Sequence, residues 1–403
     1  MHIDRCNNTA DFRKLARKRL PAPLFHYIDG GADDEITMAR NTGAFDDIAL
    51  IPNGLADLTG LSTQRRVLGC DLTMPLFCSP TGMSRLFHPE GERAVARAAA
   101  AAGTMYSLST LSTVSIEEIG ALTAGPKCFQ IYIHKDRALT FEFIERCKAA
   151  KFDALCLTID TLVAGNRERD LVTGMVMPPR LTASSLASFA LHPAWAWGYL
   201  TGARFELANV AHKIGQGSNS LVSVMDYVNA QFDRTITWDD AAKAIAAWGG
   251  PFAIKGVMSV ADARRAVEIG ASAIMVSNHG GRQLDGSTAP FDQLDAICDA
   301  VGGQVEIILD GGVRRGTHVL KALAMGATAC STGRGYLYAL AAGGQAGVAR
   351  ALTRFQAELE RDMILMGIAS LDQLDRSKLR DLRRAHSALA HSSSADRLSI
   401  AAE

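Results

Sequence analysis

The chain has 403 residues, of which 48% are hydrophobic and 21% are charged, and its formal net charge is zero. This balance is typical of an ordinary globular protein and gives no electrostatic footprint for a nucleic acid partner. Eight cysteines occur without a CxxC pair, so we expect neither a metal site nor a disulfide framework. The N-terminal MHIDRCNNTADF lacks the apolar run of a signal peptide, which predicts a cytoplasmic protein.

After a lead-in over residues 1–70, which we expect to be helical and to contribute to the active site, short apolar runs alternate with alanine-rich stretches. This alternation predicts parallel strands joined by crossover helices. Eight strand–helix units over 71–384 predict an α/β fold, the TIM (β/α)8 barrel. A doubly wound sheet is the weaker alternative because no GxGxxG follows an early strand. Residues 385–403, rich in Ser and Ala, predict a disordered tail. The eight runs are Pro75–Pro80, Thr104–Leu108, Cys128–Tyr132, Ala154–Ile159, Phe252–Lys255, Ala273–Ser277, Glu306–Leu309 and Thr328–Ser331.

More than ninety residues separate the fourth run from the fifth, which predicts an insertion at about 178–240. Within it, Leu181–Ala203 contains no Asp, Glu, Lys or Arg. Its Pro, His, Ser and Thr disfavour a spanning helix, whereas a segment in the membrane interface would place Trp195, Trp197 and Tyr199 at the headgroups. A lid over the substrate or an oligomer contact is an equal alternative.

Polar residues follow the ends of the predicted strands, where barrel enzymes place their active sites. In order along the chain, the eight runs end in SPTG, SLST, FQIY, TID, IKG, SNHGGR, LDGGVRRG and STGRG. Amide donors and fixed positive charge at the last two loops are typical of a barrel phosphate site and predict a phosphate-bearing cofactor. The residues concerned are Gly311, Gly312, Val313 and Arg314 in the seventh loop and Gly333 and Arg334 in the eighth.

The sixth loop, SNHGGRQLDG at 277–286, places His279 and Arg282 three residues apart. A guanidinium binds a carboxylate through two parallel hydrogen bonds while a neutral imidazole takes a proton from the neighbouring carbon or its hydroxyl. This pairing is suited to chemistry on a carboxylic acid. Alone, it is more simply interpreted as a polar turn, but its position among the other strand ends favours a catalytic role.

Five motifs together resemble the FMN-dependent (S)-2-hydroxy acid dehydrogenases and oxidases, which include glycolate oxidase, flavin L-lactate dehydrogenase and mandelate dehydrogenase. They are LPxxxxxYxxGGAxDE from residue 20, HPEGE, RERD, SNHGGRQLD and DGGVRRG, and the resemblance extends to SLDQL at 370–374. It implies a TIM barrel that binds FMN and forms a homotetramer. The implied reaction oxidises a lactate- or mandelate-like acid to the 2-oxo acid and passes electrons to a quinone or cytochrome-type acceptor.

The resemblance assigns catalytic roles to seven residues. His279 would accept a proton as hydrogen moves to flavin N5, either as hydride or after a carbanion forms, and Asp160 would orient the imidazole. A helix cap is the alternative role for Asp160. Lys255 would stabilise the charge of the reduced flavin. The remaining four would bind the acid: Arg282 and Arg167 its carboxylate, Tyr27 and Tyr132 through their hydroxyls.

The cofactor residues follow in the same way. The resemblance places Pro80, Thr81, Gly82, Ser109, Gln130, Thr158 and Ser277 around the flavin ring with Lys255, and Asp310 at the ribityl chain. Two departures matter: Gly82 replaces the alanine of many oxidases, which favours an acceptor other than oxygen, and Leu111 replaces a tryptophan of glycolate oxidase, which predicts a more open apolar substrate pocket.

Several alternatives stay open. An oxygen-using oxidase and a non-catalytic FMN-binding scaffold are both compatible with the phosphate loops. An FMN-dependent isopentenyl diphosphate isomerase would share those loops but has no need for His279 with two arginines. Membrane-bound members are anchored through the region after the fourth strand, which favours peripheral attachment to the cytoplasmic face of a membrane.

Overall fold

The lead-in to the barrel combines three helices with short strands. The structure is a computed structural model, and it describes residues 2–175, 180–202, 205–213 and 231–383. The Asn8 side chain caps the first helix by accepting a hydrogen bond from the Asp11 amide at 2.9 Å. Short strands then occupy part of 48–72, which the sequence did not predict. The elements are α1 (Thr9–Arg19), α2 (Ala22–Asp29), α3 (Ile36–Gly43), β1 (Ile48–Leu50), β2 (Arg65–Val67) and β3 (Cys70–Leu72).

Eight parallel strands close into a barrel, which confirms the predicted TIM fold. Each strand overlaps one predicted apolar run, and the ends differ by at most two residues. The last strand pairs with the first, so the sheet has no free edge. The strands are β4 (Leu76–Thr81), β5 (Tyr106–Ser109), β6 (Lys127–Ile131), β7 (Ala154–Thr158), β8 (Phe252–Val257), β9 (Ala273–Ser277), β10 (Glu306–Asp310) and β11 (Ala329–Thr332).

The side chains inside the barrel are apolar near the amino ends of the strands and polar near the carboxyl ends. Towards the amino ends of the strands, Phe77, Met275 and Ile308 belong to an apolar cluster that also includes Val67 and Leu68 of the β2–β3 hairpin. Alternate residues of a strand point to the same side of the sheet, so the residue two positions after each of these apolar residues also points inward. It lies nearer the carboxyl end of its strand. Those positions are polar, and they place Ser79, Gln130, Thr158, Lys255, Ser277, Asp310 and Ser331 together at one end of the barrel.

Helices surround the barrel, and the predicted insertion lies between β7 and β8. Its residues 176–179, 203–204 and 214–230 are outside the described residues, as are Ala203 of the predicted apolar segment and the predicted tail at 385–403. None of the helices in the described ranges is long and apolar enough to cross a bilayer. The helices are α4 (Gly91–Ala101), α5 (Ile116–Leu122), α6 (Arg137–Ala149), α7 (Glu168–Thr173), α8 (Ala183–Ala190), α9 (Pro193–Thr201), α10 (Trp238–Trp248), α11 (Val260–Glu268), α12 (Pro290–Val301), α13 (Gly316–Met325) and α14 (Arg334–Met366).

Candidate active site

The polar end of the barrel opens into one cavity that every barrel strand or its following loop helps to line. About 1450 Å³ of non-atom space lies in the cavity, a figure that includes open solvent at its mouth. Tyr27 from the lead-in and Phe232 from the end of the insertion complete its wall. The lead-in and the insertion thus contribute to the cavity together with the barrel.

Lys255 lies at the floor of the cavity, with 4% of its surface exposed. Its ammonium is 3.0 Å from Asp310 Oδ2 and donates a hydrogen bond to Ser277 Oγ at 2.9 Å. Burial alone would lower the pKa of Lys255, but Asp310 and Asp160 raise it above its ordinary value. The strand therefore holds a permanent positive charge beneath the cavity.

Asp310 is the centre of this buried cluster rather than a free ligand group. Ser79 and Ser331 donate to its Oδ1 at 2.7 and 2.6 Å, and Ser277 donates to its Oδ2 at 2.7 Å. Burial would raise the pKa of Asp310, but Lys255 and the three hydroxyls lower it well below its ordinary range. Ser277 is fully buried and does not line the cavity, and its hydroxyl contacts Lys255 and Asp310.

His279 follows β9 in a left-handed backbone conformation, with φ of +57°, which costs energy for a residue other than glycine. Its Nδ1 lies 2.8 Å from Asp160 Oδ1, and the Thr161 hydroxyl donates to the same oxygen at 2.9 Å. An ionised carboxylate only accepts hydrogen bonds, so Nδ1 carries the proton and Nε2 is an acceptor. Burial lowers the pKa of His279 below its ordinary value, and Asp160 opposes this only in part. The imidazole is thus neutral at neutral pH.

Two arginines and a tyrosine lie together at the same end of the cavity. The guanidinium carbon of Arg282 is 5.2 Å from the centre of the Tyr27 ring, and that of Arg167 is 6.0 Å away. Arg282 Nη1 donates to the carbonyls of Tyr27 and Gly30, and neither arginine forms an ion pair with a carboxylate of the described residues. Burial and the like charge of Arg167 lower the pKa of Arg282 to about 9. An anionic ligand would therefore stabilise this cation.

The cavity is also lined by apolar side chains. Leu111, Ala164 and Phe232 line it, and Phe232 packs edge-on against Tyr132 with ring centres 5.4 Å apart. Burial and the charge of Asp160 raise the pKa of Tyr132 to about 12, so its hydroxyl stays protonated and able to donate. The predicted Leu111 and Tyr132 thus belong to one surface.

Strand β4 ends with Pro80 and Thr81, and Gly82 follows it; all three line the cavity, as do residues predicted on the next three strands. Ser109 Oγ donates to Gln130 Oε1 at 2.9 Å, which fixes both side chains, and Thr158 also lines the cavity. A Cβ added at Gly82 would lie 3.0 Å from both the Leu111 Cβ and its carbonyl oxygen. An alanine at position 82 would therefore require Leu111 to shift.

Comparison with known proteins identifies the type of enzyme. A family model described as FMN-dependent dehydrogenase matches residues 16–381. The chain belongs to this FMN-dependent dehydrogenase family. The predicted family, cofactor and enzyme class are confirmed.

Two relatives by sequence have names that refer to L-lactate. The L-lactate dehydrogenase of Alcaligenes faecalis is 40% identical over 369 residues, which cover 91% of this chain and 97% of that protein. The L-lactate oxidase of Nostoc sp. is 42% identical over 376 residues, which cover 92% of this chain and 97% of that protein. The family relationship thus includes both dehydrogenases and oxidases.

A similar solved structure is that of (S)-mandelate dehydrogenase, described as a monotopic membrane protein. It superposes with a TM-score of 0.89 at 34% identity, covering 94% of this chain and all of that one. Its barrel is therefore arranged like the one described above.

The residues of the seventh and eighth loops fit the phosphate of FMN. Arg314 and Arg334 line the cavity, and among the described residues their side chains donate hydrogen bonds to backbone carbonyls and a methionine sulfur rather than to carboxylates. Burial lowers the pKa of Arg314 to about 10. Helix α14 begins at Arg334, so the positive end of its dipole also lies at the cavity. Both loops thus offer a buried positive site that a phosphate would neutralise.

Most predicted site residues lie in the cavity, and the exceptions lie directly behind it. Asp160 and Ser277 contact His279 and Lys255, respectively, from the protein side. Sequence reasoning missed Thr161, although it directly follows Asp160, and it missed Ser79 and Ser331, which were quoted only as strand ends. It also missed Ala164, Phe87 and Phe232, for which the sequence carries no signal.

The phosphate assignment predicts that Arg314→Met weakens FMN binding by about 10- to 100-fold, because a charged hydrogen bond to the ligand contributes roughly 1.5–3 kcal/mol. Fluorescence titration of the apoprotein with FMN measures this change. Arg315→Met is the matched control, because Arg315 is more exposed and pairs with Glu358 instead. Equal affinities for FMN in the two variants would contradict the assignment.

Proposed function

We propose that the protein oxidises an (S)-2-hydroxy acid to the 2-oxo acid and that the seven predicted catalytic residues carry out this reaction. The observation that carries the proposal is a neutral histidine held by a buried carboxylate, in a cavity with two arginines that form no ion pair within the described part of the chain. The names of the lactate and mandelate relatives support the same substrate class. A scaffold that only bound FMN would have no need for this arrangement.

The first task of the site is to bind the acid. Arg282 and Arg167 are the two cations beside Tyr27, and a planar guanidinium suits a carboxylate through paired hydrogen bonds. Binding an anion there offsets the burial of Arg282, whose pKa is lowered to about 9. The hydroxyls of Tyr27 and Tyr132 donate to the bound acid.

The second task is to move a proton. His279 Nε2 accepts one from the substrate, and the resulting imidazolium is stabilised by Asp160 at 2.8 Å. When bound, FMN supplies the chemistry that accepts the other hydrogen together with two electrons. Lys255 keeps a positive charge at the cavity floor, where it would stabilise negative charge that develops above it.

The apolar wall indicates the kind of acid. Leu111, Ala164 and Phe232 offer no polar group to a substrate side chain, so lactate and larger apolar acids such as mandelate are the proposed substrates. Gly82, which stands where many oxidases of the family have alanine, supports a dehydrogenase that passes electrons to a quinone or cytochrome-type acceptor. An oxygen-using oxidase is the second candidate, because one relative is named as an oxidase.

The insertion supports peripheral membrane attachment, which we propose occurs on the cytoplasmic face. Leu191, Trp197 and Leu200 expose 79, 71 and 78% of their surface, and exposed apolar groups of this size are suited to a membrane interface. Trp195, predicted at the same interface, has a further contact: its Nε1 donates to the Leu86 carbonyl at 2.8 Å and its ring stacks on Tyr199. It therefore anchors α9 to the barrel. A homotetramer is the proposed assembly.

Anaerobic mixing of the flavoprotein with a panel of (S)-2-hydroxy acids tests the proposal. We expect lactate or mandelate to bleach the flavin, and His279→Gln to slow bleaching by about 10²–10⁴-fold while FMN stays bound. His212→Gln is the control, because that exposed histidine pairs with Glu142 on the outer surface. Persistent colour with every acid would favour a scaffold, and rapid return of colour in air would identify an oxidase.

The pH dependence follows from the direction of the His279 pKa. Because the base must be neutral, kcat/KM should be constant from neutral pH up to about 9, the lowered pKa of Arg282, and fall as the pH drops through a value below 6.5, the ordinary pKa of histidine. Asp160→Asn removes the charge that raises this pKa, so the midpoint should move lower still while kcat decreases. A midpoint above 6.5, or one that Asp160→Asn raises, would contradict the assignment.

Membrane attachment predicts that the protein floats with lipid vesicles and that the triple variant Leu191→Ser, Trp197→Ser, Leu200→Ser does not, while it still reduces its flavin. Losing three exposed apolar side chains removes much of the area that an interface would bury. The control replaces Leu55, Ile364 and Leu365 with serine, because these are also exposed but lie outside the insertion. Equal flotation of both variants would reject attachment through α8 and α9.

A further inference from the structure

The turn between α2 and α3, residues 30–35, connects three loops of the cavity. The Gly30 carbonyl accepts hydrogen bonds from Arg282 at 2.8 Å and from Arg334 at 2.7 Å. The Ala32 amide donates to the Gly281 carbonyl at 2.9 Å, and the Asp33 amide donates to the Asn166 carbonyl at 2.8 Å. This turn therefore contacts the fourth, sixth and eighth loops, two of which carry the arginines of the carboxylate site.

Arg169 joins this turn to the fourth loop through two carboxylates. Its Nη1 lies 3.0 Å from Asp29 Oδ2, and its Nη2 donates to Glu35 Oε2. The other oxygen of Glu35 accepts from the Gly31 amide at 2.8 Å, which closes the turn. Arg169 itself does not line the cavity. Arg169 is two residues after Arg167, and Asp29 is two residues after Tyr27. The bridge between Arg169 and Asp29 is therefore close in sequence to two residues of the carboxylate site.

The bridge is strongly anchored on the lead-in side. Asp29 is buried and also accepts hydrogen bonds from Arg13 at 2.5 and 2.7 Å and from the Tyr338 hydroxyl at 2.7 Å. Burial would raise the pKa of Asp29, but these donors lower it to about 2. Glu35, the residue before α3, has a left-handed backbone conformation with φ of +62°. Such a conformation persists only where surrounding contacts hold it.

We propose that Arg169 is a positioning residue for the carboxylate site: by bridging Asp29 and Glu35 it sets the distance between Tyr27 on the lead-in and Arg167 on the fourth loop. The inference rests on the proposed function, because it requires that these residues bind the acid. A guanidinium reaches two carboxylates with separate nitrogens, whereas a lysine ammonium is a single point of charge. The role is thus specific to arginine.

Arg169→Lys in the FMN-loaded enzyme tests the proposal, because it keeps the charge but loses one arm of the bridge. We expect KM for the acid to rise on the order of 10-fold with kcat nearly unchanged and the flavin spectrum retained, since misplaced binding groups weaken substrate binding. Titration with oxalate, followed by flavin absorbance, should show the same loss of affinity. This second measurement does not depend on turnover.

Glu35→Gln should reproduce the effect, and combining it with Arg169→Lys should add little, because both remove the same contact. The control is Arg93→Lys, which alters a paired arginine between α4 and α5, where Nη2 lies 2.9 Å from Glu118. It should change neither KM nor oxalate affinity.

Unchanged oxalate affinity in Arg169→Lys and Glu35→Gln would overturn the proposal, as would equal losses in Arg93→Lys. If Arg169→Lys does not fold, Glu35→Gln decides the question alone. If the wild type binds oxalate but no acid bleaches its flavin, the proposed function fails while the positioning role is still measured.

Discussion

The buried pair of Lys255 and Asp310 is the interaction on which the cavity depends. A lysine at the inward end of a barrel strand is costly to bury unless its charge is matched. The carboxylate of Asp310 on β10 provides the matching negative charge at 3.0 Å from the ammonium. Three serine hydroxyls donate hydrogen bonds to the same carboxylate. Five strands are thereby tied together at their polar ends, and a fixed positive charge faces the space above.

The balance of charge around the cavity then determines what it can hold. Among the described residues, five cationic side chains and one carboxylate line it, although the whole chain has a formal net charge of zero. Lys255 is paired with Asp310, and the other four cations are arginines: two at the phosphate loops and two beside Tyr27. Buried cations are stable when anions are present. A cofactor phosphate at one end and a substrate carboxylate at the other satisfy this requirement.

Much of this arrangement is predictable from sequence because barrel strands carry a period-two pattern and their carboxyl ends meet at one rim. That rule places Lys255, His279 and Arg314 together without any knowledge of contacts. It does not reveal how buried charges are satisfied, since the hydroxyls of Ser79 and Ser331 are ordinary residues in the sequence. The same rule does not predict Phe232, because this residue lies in the insertion, where no periodic pattern marks it as part of the cavity lining. Composition also does not show which face of α9 packs on the barrel, where Trp195 donates a hydrogen bond to the Leu86 carbonyl.

The lead-in explains why a barrel alone would not complete this site. The barrel strands fix the positions of Lys255 and Asp310, but His279, Arg167 and Arg282 stand on loops after the strands, where the backbone is less constrained. His279 adopts φ of +57°, and such a conformation needs support from outside its own loop. The turn at 30–35 supplies it by hydrogen bonding to Gly281 and Arg282, while Arg169 ties the same turn to the loop of Arg167. The geometry of the acid-binding end is therefore determined by contacts between the lead-in and the loops, and the barrel determines the position of the charge beneath them.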